Sequence, residues 1–125
     1  MLSKMEYQGY RDIVEGKETQ EILSSSNPDM ISKLGGDMAC YYARLSGEYA
    51  DIRDEIMGEF VRLVQPGPDG SKGMSASQAE KESEINVNAR HEVTRRQIEY
   101  LMEALDKIGF ACSARVRSFS KEGNY

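Results

Sequence analysis

The sequence predicts an all-α protein, a long antiparallel helical hairpin with an additional N-terminal helix. Apolar residues recur at spacings of three and four over two long stretches, as they do along amphipathic helices. The segment "QPGPDGSKGM", residues 65–74, is too rich in glycine and proline to continue a helix and separates the two stretches. The 125 residues suit one domain, but only 39% are hydrophobic and 30% are charged. Because this composition is lean for a thick core, we expect a homo-oligomer.

The first helical segment is expected over residues 3–23. Its apolar positions are Tyr7, Tyr10, Ile13, Val14, Ile22 and Leu23. Glycine is unfavourable inside a helix, so we expect a break near Gly16. The stretch "SSSNPD" then ends the segment, and Pro28 is suited to the first turn of the next helix.

Residues 28–64 carry the most regular pattern, an apolar stripe sustained over roughly five heptads. The glycines at 35, 36 and 47 either allow close approach of another helix or mark a bend. The residues of this stripe that we expect in the core or at an oligomer interface are Tyr42, Leu45, Tyr49, Ile52, Ile56 and Phe60.

The third segment is expected over residues 75–120, after a cap formed by Ser75 or Ser77. Its beginning, "AEKESEINVNARHEV", is polar, so we expect it to project from the bundle or to fray. The stripe residues expected in the core or at an oligomer interface are Leu101, Leu105, Ile108 and Phe119. Pairing across the loop places residue i opposite about residue 140 − i. Cys40 and Cys112 are then out of register for a disulfide and are expected to be reduced core residues.

Catalysis is not expected. The single histidine, His91, lies in "HEVTR", where a zinc-binding helix needs a second histidine at the position of Arg95, so we place His91 on the helix surface. The loop "GPDGSKG" lacks the Gly-Lys-Ser/Thr order of a phosphate-binding loop. We therefore expect no enzyme activity, no metal and no cofactor.

The expected compartment is the cytoplasm, without a membrane partner. No apolar run approaches the roughly 20 residues of a membrane span. The N-terminus lacks the apolar region of a signal peptide and carries acidic residues early.

Basic residues are concentrated towards the C-terminus. Residues 90–125 hold 7 Lys and Arg against 5 Asp and Glu, whereas residues 1–89 hold 9 against 16. Arg115, Arg117 and Lys121 have only Glu122 as an acidic neighbour. Cations stabilise a helix C-terminus through the helix dipole, and the same cluster also suits contact with a polyanion or a protein partner. Both interpretations stay open.

Two segments, "ARLSGEYADIRDE" (43–55) and "IEYLMEALDKIGFACSARVRSFSKEG" (98–123), resemble small helical proteins of phage recombination modules. The second is similar to the end of UvsY-type recombination mediators, where an "ALD" helix leads through "GFA" into a basic terminus. The "ARL" that ends at Leu45 resembles part of the single-strand-binding segment proposed for that family.

The resemblance implies a non-enzymatic ring that binds single-stranded DNA in the host cytoplasm. Such a ring helps load a recombinase onto strands covered by single-strand-binding protein. The candidate DNA contacts are Tyr41, Arg44, Arg115, Arg117 and Lys121. The alternative is a protein-binding helical module without DNA affinity, either an assembly scaffold or a phage inhibitor of a host enzyme whose acidic faces imitate nucleic acid. Salt separates the two, because phosphate contacts weaken steeply as salt rises.

Overall fold

The structure is a computed structural model and describes residues 2–122. Every regular element in this part of the chain is an α-helix, which confirms the predicted all-α class. The helices are α1 Lys4–Glu15, α2 Lys17–Leu23, α3 Pro28–Val64, α4 Ala76–Arg90 and α5 Glu92–Glu122. Within residues 2–122, none of the helices combines the length and the apolar character needed to cross a membrane.

Polar caps fix where three of the helices begin. Ser3, Asn27 and Ser75 each accept a hydrogen bond from a backbone N–H in the first turn of α1, α3 and α4, respectively. Pro28 follows its cap at the first position of α3, where its missing N–H has no helical partner to lose. The loop after α3 ends with the N–H of Met74 bonded to the carbonyl of Leu63 at 2.9 Å.

Two of the three expected segments are divided. Gly16, in extended conformation, separates α1 from α2. The single helix expected over 75–120 is wrong, because His91 interrupts it with φ −116° and ψ 22°. The surface position expected for His91 is also wrong. Its side chain is only 12% exposed, and Nε2 lies 2.7 Å from a carboxylate oxygen of Glu55 on α3.

The polar helix α4 packs against α3, so the expectation that it projects or frays is wrong. Ala79, Ser83 and Val87 recur every four residues and are almost fully buried. Small side chains let one helix approach another closely, and the Ser83 hydroxyl is satisfied by the backbone carbonyl of Glu80 at 3.0 Å. Because the buried face of α4 consists mainly of small side chains, the sequence of α4 lacks the apolar stripe that usually marks a buried helix face.

Helices α3 and α5 form the centre of the core and run in opposite directions. Gly35 lies beside Cys112 near one end, and Glu55 contacts His91 near the other. The register predicted from the loop, in which residue i lies opposite about residue 140 − i, is wrong for α5. It places Cys112 opposite about residue 28, whereas Cys112 lies beside Gly35. The interruption between α4 and α5 lets α5 pack without continuing the register of α4. Both thiols are free, but Cys40 is exposed, contrary to the core position expected for it.

Helices α1 and α2 cover one side of the α3–α5 pair, which we call the covered side. Tyr10 and Val14 of α1 are buried there. The ring of Tyr10 meets that of Tyr41 edge to face, with centroids 5.5 Å apart. The hydroxyl of Tyr100 donates to the Glu15 carboxylate at 2.7 Å, which ties α1 to α5.

Candidate functional site

Two of the predicted DNA contacts are engaged on the covered side. The ring of Tyr41, expected to be available for a ligand, is partly buried against Tyr10. The guanidinium of Arg44 donates to the Glu6 carboxylate of α1 at 3.2 Å. Both side chains therefore contact α1, Tyr41 by packing of its ring and Arg44 through an exposed ion pair, which contributes little to stability.

Arg115 is engaged as well. Its guanidinium donates to the backbone carbonyl of Ser25 at 3.0 Å and lies over the ring of Phe119, 4.8 Å from the centroid. Ser25 belongs to the turn between α2 and α3. Arg115 thus holds the turn between α2 and α3 against α5, a structural role other than the stabilisation of the helix C-terminus expected for the basic cluster.

Arg117 and Lys121 are exposed. The Arg44 side chain is exposed as well, but its guanidinium is paired with Glu6. Arg117 and Lys121 are one helical turn apart and, with Ala114 and Ser118, line a shallow depression of about 270 Å³. Neither makes an ion pair with residues 2–121. Earlier cations of α5 are neutralised within the helix, in the pairs Arg95–Glu99, Arg96–Glu92 and Lys107–Glu103.

Most residues of the apolar stripe lie in the core or pack against it, and Phe60 and Tyr42 do not. The buried residues are Leu45, Ile52, Leu101, Leu105 and Ile108. The partly buried residues are Tyr49, Ile56, Phe60 and Phe119. Tyr42 is 38% exposed and is not part of the core. The physical reason is that none of the other helices within residues 2–122 covers the side of α3 that carries Tyr42, which lines an open groove.

On this uncovered side, a groove runs between α3 and α5. One part of about 400 Å³ is lined by Tyr42 from α3 and by Gly109 and Phe110 from α5. An adjoining part of about 390 Å³ shares Gly35 and Gly109 and extends to Arg117. Phe110, which lines the first of these parts, is 70% exposed. We call this groove and the α5 residues Asp106, Phe110, Ser113 and Arg117 the open face.

The glycines of the open face have two different roles. A Cβ added to Gly35 would lie 3.2 Å from the Cβ of Cys112, so Gly35 allows α3 and α5 to approach. A Cβ added to Gly36 or Gly109 would meet nothing within 4 Å. Glycine inside a helix costs about 1 kcal/mol relative to alanine. Packing within the chain does not account for that cost at Gly36 and Gly109, and both keep the groove wide.

Charges of opposite sign lie at the two ends of the open face. Asp106 and Arg117 are eleven residues apart, close to three helical turns, so they lie on one face of α5 about 16 Å apart. Within residues 2–121, neither has an ion-pair partner. The open face therefore presents an exposed aromatic ring between an acid and a base.

The sequence contained a signal for Phe110 that the stripe analysis missed. Phe110 is apolar but falls out of phase with the stripe, which passes through Ile108 and Cys112. A large apolar residue off the stripe of a long helix is a candidate for contact with a partner.

The chemistry available to the described residues is limited. In residues 2–122, no group of three or more His, Cys, Asp and Glu side chains is placed to hold a metal ion. Burial raises the pKa of the Cys112 thiol, which keeps the thiol protonated. His91 is held by Glu55.

Compared with known proteins, the chain matches no family model, and neither a curated protein nor a solved structure is similar to it. Its function is therefore inferred from its own geometry.

Proposed function

We propose that this protein is a non-enzymatic helical module that acts by self-association through its open face. The observation that carries the proposal is Phe110, which is 70% exposed beside a groove that none of the described helices fills. Tyr42 lines the same groove and is 38% exposed. Aromatic side chains that bury a ring against a partner are frequent anchors of protein interfaces.

The surface area of the chain supports association. The chain exposes 8587 Å². A compact monomer of the same mass exposes roughly 6,700 Å² by the scaling of surface with size. The difference exceeds the about 800 Å² that each partner buries in a standard interface. An elongated shape contributes to the excess, and burial of the open face in an oligomer reduces it.

Sedimentation velocity of the wild type over a range of concentrations tests the proposal, with Phe110→Asp as the disrupting variant. We expect the wild type to shift to a larger species as its concentration rises and the variant to remain a monomer. Val93→Asp is the matched control, because Val93 is 69% exposed on the same helix but lies away from the groove. A wild type that stays monomeric at high concentration contradicts the proposal.

A second candidate function is the DNA-recombination accessory role of mediator type. The observation that favours it is the pair Arg117 and Lys121, which is exposed at one end of the molecule. In an oligomer that leaves this end of α5 exposed the pair repeats, so that weak contacts with single-stranded DNA add up. A recombinase or a single-strand-binding protein would then be a further partner. The pair is a small footprint for nucleic acid on a chain of net charge −5, which is why this function comes second.

Fluorescence anisotropy of a labelled oligo-dT tests the second candidate. We expect Arg117→Ala/Lys121→Ala to weaken binding and to reduce its salt dependence, because each lost phosphate contact lowers the salt slope by about 0.7. The matched control is Arg96→Ala/Lys107→Ala, which removes the same charge from cations already paired on α5. Equal losses in both variants would indicate an effect of net charge alone, and no binding by the wild type rejects this function.

A further inference from the structure

We infer that the open face forms the interface of a two-fold symmetric homodimer in which α5 packs antiparallel against α5 of a second copy. The inference rests on the proposed self-association and specifies its partner, symmetry and register. In α5, Asp106, Phe110, Ser113 and Arg117 follow one another at spacings of four, three and four. They therefore form one continuous surface along three turns of the helix.

Charge complementarity selects the second copy as the occupant. When the two-fold axis passes midway between Asp106 and Arg117, Asp106 of each copy lies opposite Arg117 of the other. Two ion pairs then form from charges that have no ion-pair partner among residues 2–121 of one chain. A parallel arrangement would place acid against acid and base against base. Interfaces fix register and orientation by complementary charge.

The shape of the open face agrees with the register that the charges select. In that register Phe110 lies opposite Ser113 of the second copy, a small side chain that lines both parts of the groove. The ring of Phe110 is 70% exposed in a single copy and becomes buried in part against the second copy. Gly36 and Gly109 leave open space next to this position. A two-fold interface makes each such contact twice, because one patch meets itself.

Charge reversal with mixing tests the inference. In a homodimer of Asp106→Arg, or of Arg117→Asp, like charges face each other at two places. We expect the dissociation constant of each variant to rise about tenfold or more, because like charges across an interface are strongly unfavourable. When the two variants are mixed, the basic positions of one copy face the acidic positions of the other. We expect the mixture to form heterodimers, and Asp106→Arg/Arg117→Asp to dimerise within about threefold of the wild type.

The matched controls are Glu92→Arg and Arg96→Asp, each of which reverses one charge of an ion pair on the same helix. In the proposed register residues 92 and 96 lie beyond the end of the second copy's α5, so neither control should change dimerisation. Circular dichroism of each variant establishes that it folds, which we expect because the reversed residues of the open face are exposed.

The outcomes separate the interface from the proposed function. A wild type that self-associates while the single reversals have no effect overturns this interface and leaves self-association standing. A mixture that stays monomeric, although each single reversal weakens the homodimer, overturns the antiparallel register. A wild type that remains monomeric throughout the micromolar range overturns both the interface and the proposed function.

Discussion

The covered side and the open face of the α3–α5 pair use the same residue types with different results. Tyr41 and Tyr42 are neighbours in sequence, yet Tyr41 packs against Tyr10 whereas Tyr42 lines the groove and is 38% exposed. Arg115 donates a hydrogen bond to the backbone carbonyl of Ser25, whereas Arg117, two residues later in the chain, is exposed. The difference shows that the packing of another helix over a side chain, rather than its residue type, decides whether that side chain stabilises the fold. A side chain that no helix covers stays exposed and available to a partner.

The contrast between the two sides predicts its largest loss in the free energy of unfolding for alanine substitutions of the two tyrosines. We predict that Tyr41→Ala lowers the free energy of unfolding by about 2 kcal/mol, since a buried aromatic ring replaced by alanine costs about 3–5 kcal/mol and Tyr41 is only partly buried. Tyr42→Ala should lower it by less, about 1 kcal/mol, because the Tyr42 ring lines an open groove and is 38% exposed. Urea denaturation measures both.

The tyrosine measurement requires a protein concentration at which the chain is monomeric, because dimerisation adds to the apparent stability of the folded state. At higher concentration Tyr42→Ala should become more destabilising as the open face is covered. Equal losses for the two variants in the monomer would mean that the two sides do not differ in cover.

The next largest loss of stability is expected when alanine substitutions of Arg115 and Arg117 are compared. Arg115→Ala removes a hydrogen bond from a charged donor and a contact with the Phe119 ring, so we predict a loss of about 1.5 kcal/mol. Arg117→Ala removes no intrachain partner among the described residues and should leave the stability of the monomer unchanged. Thermal unfolding at low concentration distinguishes the two variants. If Arg115→Ala had no effect, the turn before α3 would be held by other contacts.

A smaller effect is expected of the two adjacent glycines. We predict that Gly36→Ala stabilises the monomer by about 1 kcal/mol, because alanine favours the helix and its Cβ meets only open space. Gly35→Ala should be less stable than Gly36→Ala by about 1 kcal/mol, because its Cβ would press on that of Cys112 within the core. Urea denaturation of the monomer measures the difference. A Gly35→Ala variant as stable as Gly36→Ala would indicate that the helices separate easily there.

The extent of α3 follows from local sequence, whereas the cover of its sides does not. Pro28 and the apolar stripe lie within one helix, so periodicity and capping suffice to place it. The burial of α4 cannot be predicted from its sequence, because Ala79 and Ser83 carry little hydrophobicity. The open face cannot be predicted either, because α1 covers Tyr41 and not Tyr42, and no local pattern specifies on which side of α3 a distant helix packs.

The smallest change in stability is expected from loss of the hydrogen bond between Tyr100 and Glu15, which ties α1 to α5 on the covered side. The pKa of the Glu15 carboxyl is lowered from its ordinary 4.5, first by the hydrogen bond from the Tyr100 hydroxyl and then by Arg11. A carboxyl with a lowered pKa in the folded state contributes stability above its unfolded pKa, and that contribution is lost as the pH falls through the folded value. We predict that Tyr100→Phe slightly lowers stability at neutral pH.

The difference between wild type and Tyr100→Phe should then disappear as the pH falls below 4.5 and the protonation of Glu15 removes the charge that the Tyr100 hydroxyl stabilises. Urea denaturation of both proteins at a series of pH values measures it. In a Glu15→Gln background the same substitution should have an effect that does not change over this range. If the wild type and Tyr100→Phe differ equally at neutral and acid pH, the tyrosine acts by packing alone. The covered side would then owe its cohesion to the Tyr10–Tyr41 contact rather than to this hydrogen bond.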